Sequence, residues 1–175
     1  MAGKRKKILQ TIREQDGTYQ YVGDHYRVRE DKGTGRKQLI KLLVFFLLTL
    51  AVVIFSGCIN AAGNSEAFYV ILPFVGEVSA LFMLGWNVVR LFANRYKMRS
   101  YVLDHVRSRI PGASVFLCGF ALLGLVMAAV FLMRNGSGGK TAASAVYLIC
   151  KALAALLSLG CWKAFAGLEW EKTGN

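Results

Sequence analysis

Four continuous apolar blocks constrain the fold of this chain more than any other feature of its sequence. They cover residues 39–59, 67–91, 113–133 and 141–165. Each block has the roughly 20 residues that an α-helix needs to cross the hydrocarbon core of a bilayer, and none shows the alternation of a membrane β-strand. Apolar residues make up 55% of the 175 residues, which is high for a soluble domain of this size. The sequence predicts an all-α membrane protein, folded as a four-helix transmembrane bundle.

Lysine and arginine are distributed unevenly among the segments that flank these blocks. Residues 1–41 contain eleven and residues 90–109 contain six, whereas the connections 60–66 and 134–140 contain none and two. Because basic residues favour the cytoplasmic side of a membrane, both termini and the connection between the second and third spans are predicted to be cytoplasmic. This topology, with contact to anionic headgroups, accounts for the net charge of +12 without a nucleic-acid partner. The predicted location is the cell membrane, as a multi-pass protein.

The other segments are predicted to be small cytoplasmic additions to a transmembrane domain that covers residues 39–166. Residues 1–38 form a basic N-terminal segment, and residues 167–175 form a short tail. Basic and apolar residues alternate loosely over positions 4–15, which predicts a short helix lying along the membrane surface.

A turn signal at Gly23-Asp24, between two alternating runs, predicts a β-hairpin over residues 18–29. In that register Tyr21 faces Tyr26. One face of the hairpin would carry Tyr19, Tyr21, Tyr26 and Val28. Because an isolated hairpin is marginal in water, this face needs a cover, which is the helical core, the headgroup layer or another protein.

Residues 95–110 have the helical spacing of a basic amphipathic segment. The segment is predicted either to extend the second span or to lie in the membrane interface, and to end at Pro111-Gly112. Its basic side includes Arg99 and Arg107. The candidate surface for anionic headgroups or a protein partner consists of Tyr19, Tyr21, Tyr26, Arg99 and Arg107.

One acidic residue, Glu77, lies in the middle of the second apolar block. An ionised side chain at that depth is expensive in lipid and rarely lacks a partner. Lys151 is the best candidate, because each of the two residues lies ten positions after the outer start of its own block. That spacing places both about 15 Å below the outer boundary. The sequence therefore predicts a buried ion pair between the second and fourth helices.

Polar and small side chains recur at spacings of three or four along the fourth block, and they form a stripe that includes Lys151. The candidate intramembrane polar site consists of Glu77, Lys151, Tyr147 and Ser158. Two interpretations stay open. The pair fixes the register between two helices, or Glu77 changes protonation in a proton- or substrate-coupled site.

No catalytic residue, cofactor or metal site is predicted. The histidines, His25 and His105, fall in cytoplasmic segments without metal-site spacing to cysteines. Residues 138–141 match only the end of a phosphate-binding loop and follow no strand. The leading hypothesis is a non-enzymatic accessory or interaction subunit, with a membrane protein or a second copy of the chain as partner. The alternative is a small proton- or ion-coupled transporter that uses Glu77 at the membrane midplane.

Overall fold

The computed structural model describes residues 12–15, 18–21, 24–29, 34–63, 67–94 and 98–173 of the chain. Within these residues, four helices are long and apolar enough to cross a membrane, which confirms the prediction of four such segments. The helices are α1 (Thr34–Cys58), α2 (Phe68–Ala93), α3 (Ser100–Asn135) and α4 (Thr141–Ala166). The strands are β1 (Ile12–Gln15), β2 (Thr18–Tyr21), β3 (His25–Val28), β4 (Met98–Arg99) and β5 (Trp170–Thr173).

The helices form a bundle that is closed on three sides. α3 packs extensively against α2 and α4, and α4 packs extensively against α1, whereas α1 and α2 meet only sparsely. Two phenylalanines bridge the open side. A Cβ atom at Gly57 of α1 would lie 2.6 Å from Phe74 Cζ of α2, and one at Gly85 of α2 would lie 3.0 Å from Phe46 Cζ of α1. Between these bridges lies a lateral groove, called the α1–α2 groove below.

Helix α3 is longer than the sequence predicts, and it corrects the predicted end of the amphipathic segment at Pro111-Gly112. Pro111 lies inside the helix, and the amphipathic residues from 100 onward extend the third span, not the second. A proline removes only one helical hydrogen bond, so the helix can continue if packing holds both sides of it. Here the buried residues on both sides keep one face against the core: Val102, Val106, Ile110, Ala113 and Leu117.

The strands pair differently from the predicted hairpin over residues 18–29. β2 pairs with β1, with Ile12 opposite Tyr21 and Gln15 opposite Thr18, so the last four residues of the predicted surface helix form a strand. The rest of that predicted helix lies outside the described residues. β3 forms the centre of a second sheet, with β4 on one side and β5 on the other. A strand at the centre of a sheet bonds on both edges, which the local turn signal could not indicate.

The second sheet covers one end of the bundle. Val28 and Met98 are fully buried, and Tyr26 and Trp170 pack against the same core. The sheet therefore brings the N-terminal segment, the α2–α3 connection and the C-terminal tail to one end, called the sheet end. The opposite end, which carries the two connections with few basic residues, is called the outer end. That the sheet end faces the cytoplasm stays a prediction from charge.

Candidate functional site

Glu77 lies on the buried face of α2. Pro73, Glu77, Ala80 and Leu84 recur at spacings of three or four and are all buried. This spacing keeps one stripe of a helix directed at its neighbours, and in α2 the neighbour is mainly α3. The acid is thus directed into the protein and away from the groove side.

Lys151 reaches Glu77 from α4. Its Nζ atom donates a hydrogen bond to Glu77 Oε2, and the two groups form an ion pair. The side chains are 1% and 0% exposed, so neither charge has access to water or lipid. In such surroundings each ion offsets the desolvation of the other, and loss of either one leaves an uncompensated charge.

Two aromatic rings and one glycine surround the ammonium group. Lys151 Nζ lies 4.7 Å from the centroid of the Phe74 ring and 5.0 Å from that of Tyr147, distances at which a ring face attracts a cation. Gly124 of α3 packs beside the stem of the lysine, since a Cβ atom there would lie 3.7 Å from Lys151 Cδ and Cε, in ordinary van der Waals contact. Residues from three helices therefore lie against the pair.

The second carboxylate oxygen of Glu77, Oε1, differs from Oε2 in its hydrogen bonding. Among the described residues, no group donates a hydrogen bond to Glu77 Oε1. A buried carboxylate oxygen without a donor is costly, and it is also the position at which a proton or a small donor would bind.

A cavity of about 360 Å³ at the outer end approaches this site and is called the outer cavity. Its polar lining includes Ser56 and Asn60, and its inner wall includes Phe74 and Tyr147. These are the two rings that contact the ammonium of Lys151. The rings thus separate the ion pair from the outer cavity, and a route from the outer end to Glu77 would require them to move.

The structure brings together three of the four residues of the predicted intramembrane site. Glu77, Lys151 and Tyr147 are in contact. Ser158 is buried two turns further along α4, where its hydroxyl donates to the carbonyl of Ala155. The hydrogen bond of this hydroxyl thus stays within α4, and no contact between Ser158 and the ion pair is described.

Phe74 and Gly124 are the members of this site that the sequence interpretation missed. Phe74 precedes Glu77 by three residues, a spacing that places both on neighbouring positions of one helix face, so this signal was available. Gly124 belongs to another helix, and its small-residue spacing to Ala128 indicates close packing but not what packs there.

The residues of the candidate headgroup or partner surface do not share one environment in the structure. Tyr26 packs against the core, so its ring is covered locally, whereas Arg99 and Arg107 are exposed. The side chains of Tyr19 and Tyr21 lie outside the described residues.

Exposed ion pairs link neighbouring strands at the sheet end. Arg27 binds Glu171 at 3.2 Å, and Lys172 binds Asp24 at 2.8 Å. The hydrogen bond from Lys172 to Asp24 and the charge of that carboxylate raise the pKa of Lys172 above its ordinary value. Because the folded pKa is the higher one, the pair supports the fold at neutral pH and is lost as the pH rises through that value.

No known protein family matches the chain, and no curated protein or solved structure is significantly similar to it. In the part of the chain that the structure describes, no group of three or more His, Cys, Asp or Glu side chains is arranged to hold a metal ion.

Proposed function

We propose that the protein is a non-enzymatic interaction subunit, which receives an apolar transmembrane helix of a partner membrane protein in the α1–α2 groove. The groove is the observation that carries this proposal, since its volume is about 730 Å³ and its lining is almost entirely apolar. Its central lining residues are Leu50, Val53, Ile54, Val78, Leu81 and Phe82.

The dimensions of the groove suit a helix. On α1 it extends over the twelve residues from Phe46 to Gly57, which rise about 16 Å, or three turns. A helix of that length can pack side chains at i, i+4 and i+7 into the groove, and inside a membrane such close packing drives the association of helices. The partner would thus complete the one side of the bundle that α1 and α2 leave open.

The ion pair supports this proposal by fixing one wall of the groove. Glu77 ties α2 to α4, and α4 is also the main neighbour of α1. The two walls are therefore positioned through α4, without extensive contact between them. A groove that exists before its occupant arrives loses less conformational entropy on binding.

A photo-crosslinking amino acid at Ile54 is expected to give a discrete protein adduct in native membranes. Ile54 is 58% exposed on the wall of the groove. The matched control is Val115, which is 56% exposed on α3 and lies outside the groove lining. It should give no discrete protein adduct, because lipid alone surrounds that position in the proposal. Gel mobility and mass spectrometry of the adducts measure the difference.

A second pair of variants tests whether the adduct depends on the groove. Leu50→Trp fills the groove and should abolish the adduct at Ile54, whereas Leu122→Trp on α3 adds the same bulk elsewhere and should preserve it. An adduct of twice the mass of the chain would identify a second copy as the occupant. Lipid adducts alone at both probe positions would contradict the proposal.

Ion-coupled transport is the second candidate, and two observations favour it. Glu77 Oε1 has no hydrogen-bond donor among the described residues, and the outer cavity ends at the rings that cover Lys151. Movement of Phe74 and Tyr147 would open a path to the acid. A midplane carboxylate that exchanges protons is a recurring device in membrane transport.

Proton uptake by proteoliposomes distinguishes the two functions. If the protein is an interaction subunit, a pH gradient should decay no faster than in protein-free liposomes. Uptake that is present in the wild type, retained in Ser158→Ala and lost in the Glu77→Gln/Lys151→Met variant would establish transport instead. The double variant is used because it replaces both charges of the pair and leaves no single buried charge.

A further inference from the structure

We propose that three exposed lysines beside the seam between α1 and α4 bind the headgroup of an anionic phospholipid at the sheet end. They are Lys37 and Lys41 of α1 and Lys163 of α4, and they are called the lysine cluster below. The cluster shares no residue with the Glu77 site or the α1–α2 groove, so the inference stands independently of the function proposed above.

Two glycine contacts fix how α1 and α4 lie against each other. A Cβ atom at Gly160 would lie 2.9 Å from Phe45 Cδ1, and one at Gly167, just past the end of α4, would lie 3.1 Å from Gln38 Nε2. Between the two contacts the chain advances seven residues along α4 and goes back seven along α1, so the helices are antiparallel with a fixed register. Residues 163–164 therefore lie opposite residues 41–42.

The lysines of the two helices lie on the same side of this seam. Lys41 comes one residue before Leu42, and Lys163 comes one residue before Ala164, and the second residue of each pair is buried. A local twofold axis relates the two helices of an antiparallel pair, so equal offsets from the buried stripes place both lysines on one side. Lys37 lies one helical turn before Lys41 and shares that side.

This side of the seam is the one away from the α1–α2 groove. The α1 residues that line the groove include Phe46, Leu50 and Gly57. At 3.6 residues per turn, these three and the two α1 lysines fall on opposite sides of the stripe of α1 that contacts α4. The lysine cluster therefore faces the surroundings of the bundle and leaves the groove free for its occupant.

The lysine cluster brings three positive charges together without an ion-pair partner in the described part of the chain. Neither α1 nor α4 contains an acidic residue. No ion pair or hydrogen bond joins the three ammonium groups to any described residue. The first acid after α4 is Glu169, which binds Arg29 at 3.7 Å. An anionic headgroup beside the seam would supply the missing counter-charge.

An exposed apolar surface continues from the lysine cluster toward the outer end. On α1, Val44 and Leu48 extend the spacing of the lysines in steps of three or four, and on α4 Leu159 and Leu156 do the same. All four side chains are more than 40% exposed. Cations above an apolar surface match the two parts of a phospholipid, whose phosphate carries the charge and whose acyl chains make the apolar contacts.

The depth of the lysine cluster also suits a headgroup. Lys163 lies 22 residues after Thr141, the first residue of α4, and that length of helix rises about 33 Å. The hydrocarbon core of a bilayer is about 30 Å thick. With the outer end of α4 at one surface of the membrane, the ammonium group of Lys163 therefore reaches the headgroups of the other. An acidic protein would match the charges but not the apolar surface beside them.

Native mass spectrometry of the protein in neutral detergent measures the binding. Phosphatidylglycerol and phosphatidylcholine with the same acyl chains are titrated in turn, and the lipid adducts give a dissociation constant for each. We expect tighter binding of phosphatidylglycerol, because only its headgroup carries a net negative charge. Glycerol phosphate, which has the charge without the acyl chains, should not displace the bound lipid.

Charge-matched variants test whether the lysine cluster is responsible. Lys41→Gln/Lys163→Gln should weaken the binding of phosphatidylglycerol about thirtyfold, since each lysine beside an anionic headgroup contributes about fivefold. Lys41→Arg/Lys163→Arg keeps both charges and should preserve the affinity. The control Arg107→Gln/Arg109→Gln removes the same charge from exposed positions of α3 and should leave the affinity unchanged. If the glutamine double variant does not fold, Lys163→Gln alone, at an exposed residue, should show the fivefold loss.

A photo-crosslinking amino acid at Val44 identifies the occupant in native membranes. This exposed residue lies beside the lysine cluster and should give lipid adducts. A discrete protein adduct there would mean that a protein covers this side of the seam, and it would overturn the proposal. Equal affinities for the two lipids, equal losses in the cluster and control variants, or displacement of the lipid by glycerol phosphate would overturn it as well.

Discussion

Glu77→Gln is expected to destabilise the protein by about 3–5 kcal/mol, the cost of breaking a buried ion pair from one side. The substitution preserves the shape of residue 77 but leaves the ammonium of Lys151 inside three helices without a counter-charge. The lysine can lose its proton, but deprotonation at pH 7 costs about 4–5 kcal/mol for a lysine with the ordinary pKa of about 10.4. Thermal unfolding in detergent should show the loss as a large drop in unfolding temperature.

The double variant Glu77→Gln/Lys151→Met should recover most of this loss, because an apolar residue of similar length replaces the stranded cation. Lys172→Met is the control: it removes an exposed ion-pair partner and should change the unfolding temperature little. Equal unfolding temperatures for Glu77→Gln and the double variant would contradict the structural role of the pair.

The pH dependence of the single variants gives a second readout of the same pair. In Glu77→Gln, deprotonation of the remaining lysine costs less free energy as the pH rises. The loss of stability relative to the wild type should therefore shrink between pH 7 and pH 9. In Lys151→Met, protonation of the remaining acid costs less free energy as the pH falls. The loss of stability relative to the wild type should therefore shrink between pH 7 and pH 5. Opposite slopes in the two variants are expected. A deficit that does not change with pH in either variant would mean that the two groups do not act on each other.

The spans and the ion pair could be predicted from the sequence because each depends only on how deep residues lie along the membrane normal. An apolar run of about 20 residues is required by the thickness of a bilayer, whatever the helices pack against. The proximity of Glu77 and Lys151 follows from equal depth and from the cost of a single charge in lipid. Neither inference needs the order of the helices around the bundle, which the sequence does not indicate.

The sheet end could not be predicted because its strands pair across the whole chain. Tyr26 of β3 lies opposite Met98 on one side and Lys172 on the other. The sequence around Gly23-Asp24 contains a valid local turn signal, but pairing is decided by which apolar face becomes buried. Here Val28 is buried in the core of the bundle and lies opposite Trp170 of β5, so its cover comes from residues far away in the sequence.

The cover of the ion pair was unpredictable for a similar reason. Helical spacing places Phe74 beside Glu77, but which ring contacts the ammonium depends on how α2, α3 and α4 cross. The polar stripe of α4 shows the limit of periodicity, because Trp162 continues its spacing and yet is 46% exposed. Over several turns, small errors in the assumed 3.6-residue period rotate a residue out of the interface.

Gly76→Ala is expected to produce the second large loss of stability, because the ring of Phe120 from α3 packs directly on Gly76, next to the acid in α2. A Cβ atom there would lie 2.6 Å from Phe120 Cδ1 and Cε1 and 2.8 Å from Cγ. The clash involves the base of the ring as well as its edge, so the whole side chain must move. Overpacking of this kind costs about 1–3 kcal/mol, which exceeds the gain of up to about 1 kcal/mol from replacing a helical glycine.

Gly119→Ala is the matched control for Gly76→Ala, since a Cβ atom at Gly119 meets nothing within 4 Å. That variant should keep or slightly raise the unfolding temperature, because only the helix propensity changes. Adding Phe120→Ala to Gly76→Ala should cost less than the same substitution in the wild type, because the ring is already displaced. Strict additivity of the two substitutions, or equal effects of alanine at both glycines, would show that α2 and α3 do not meet at Gly76.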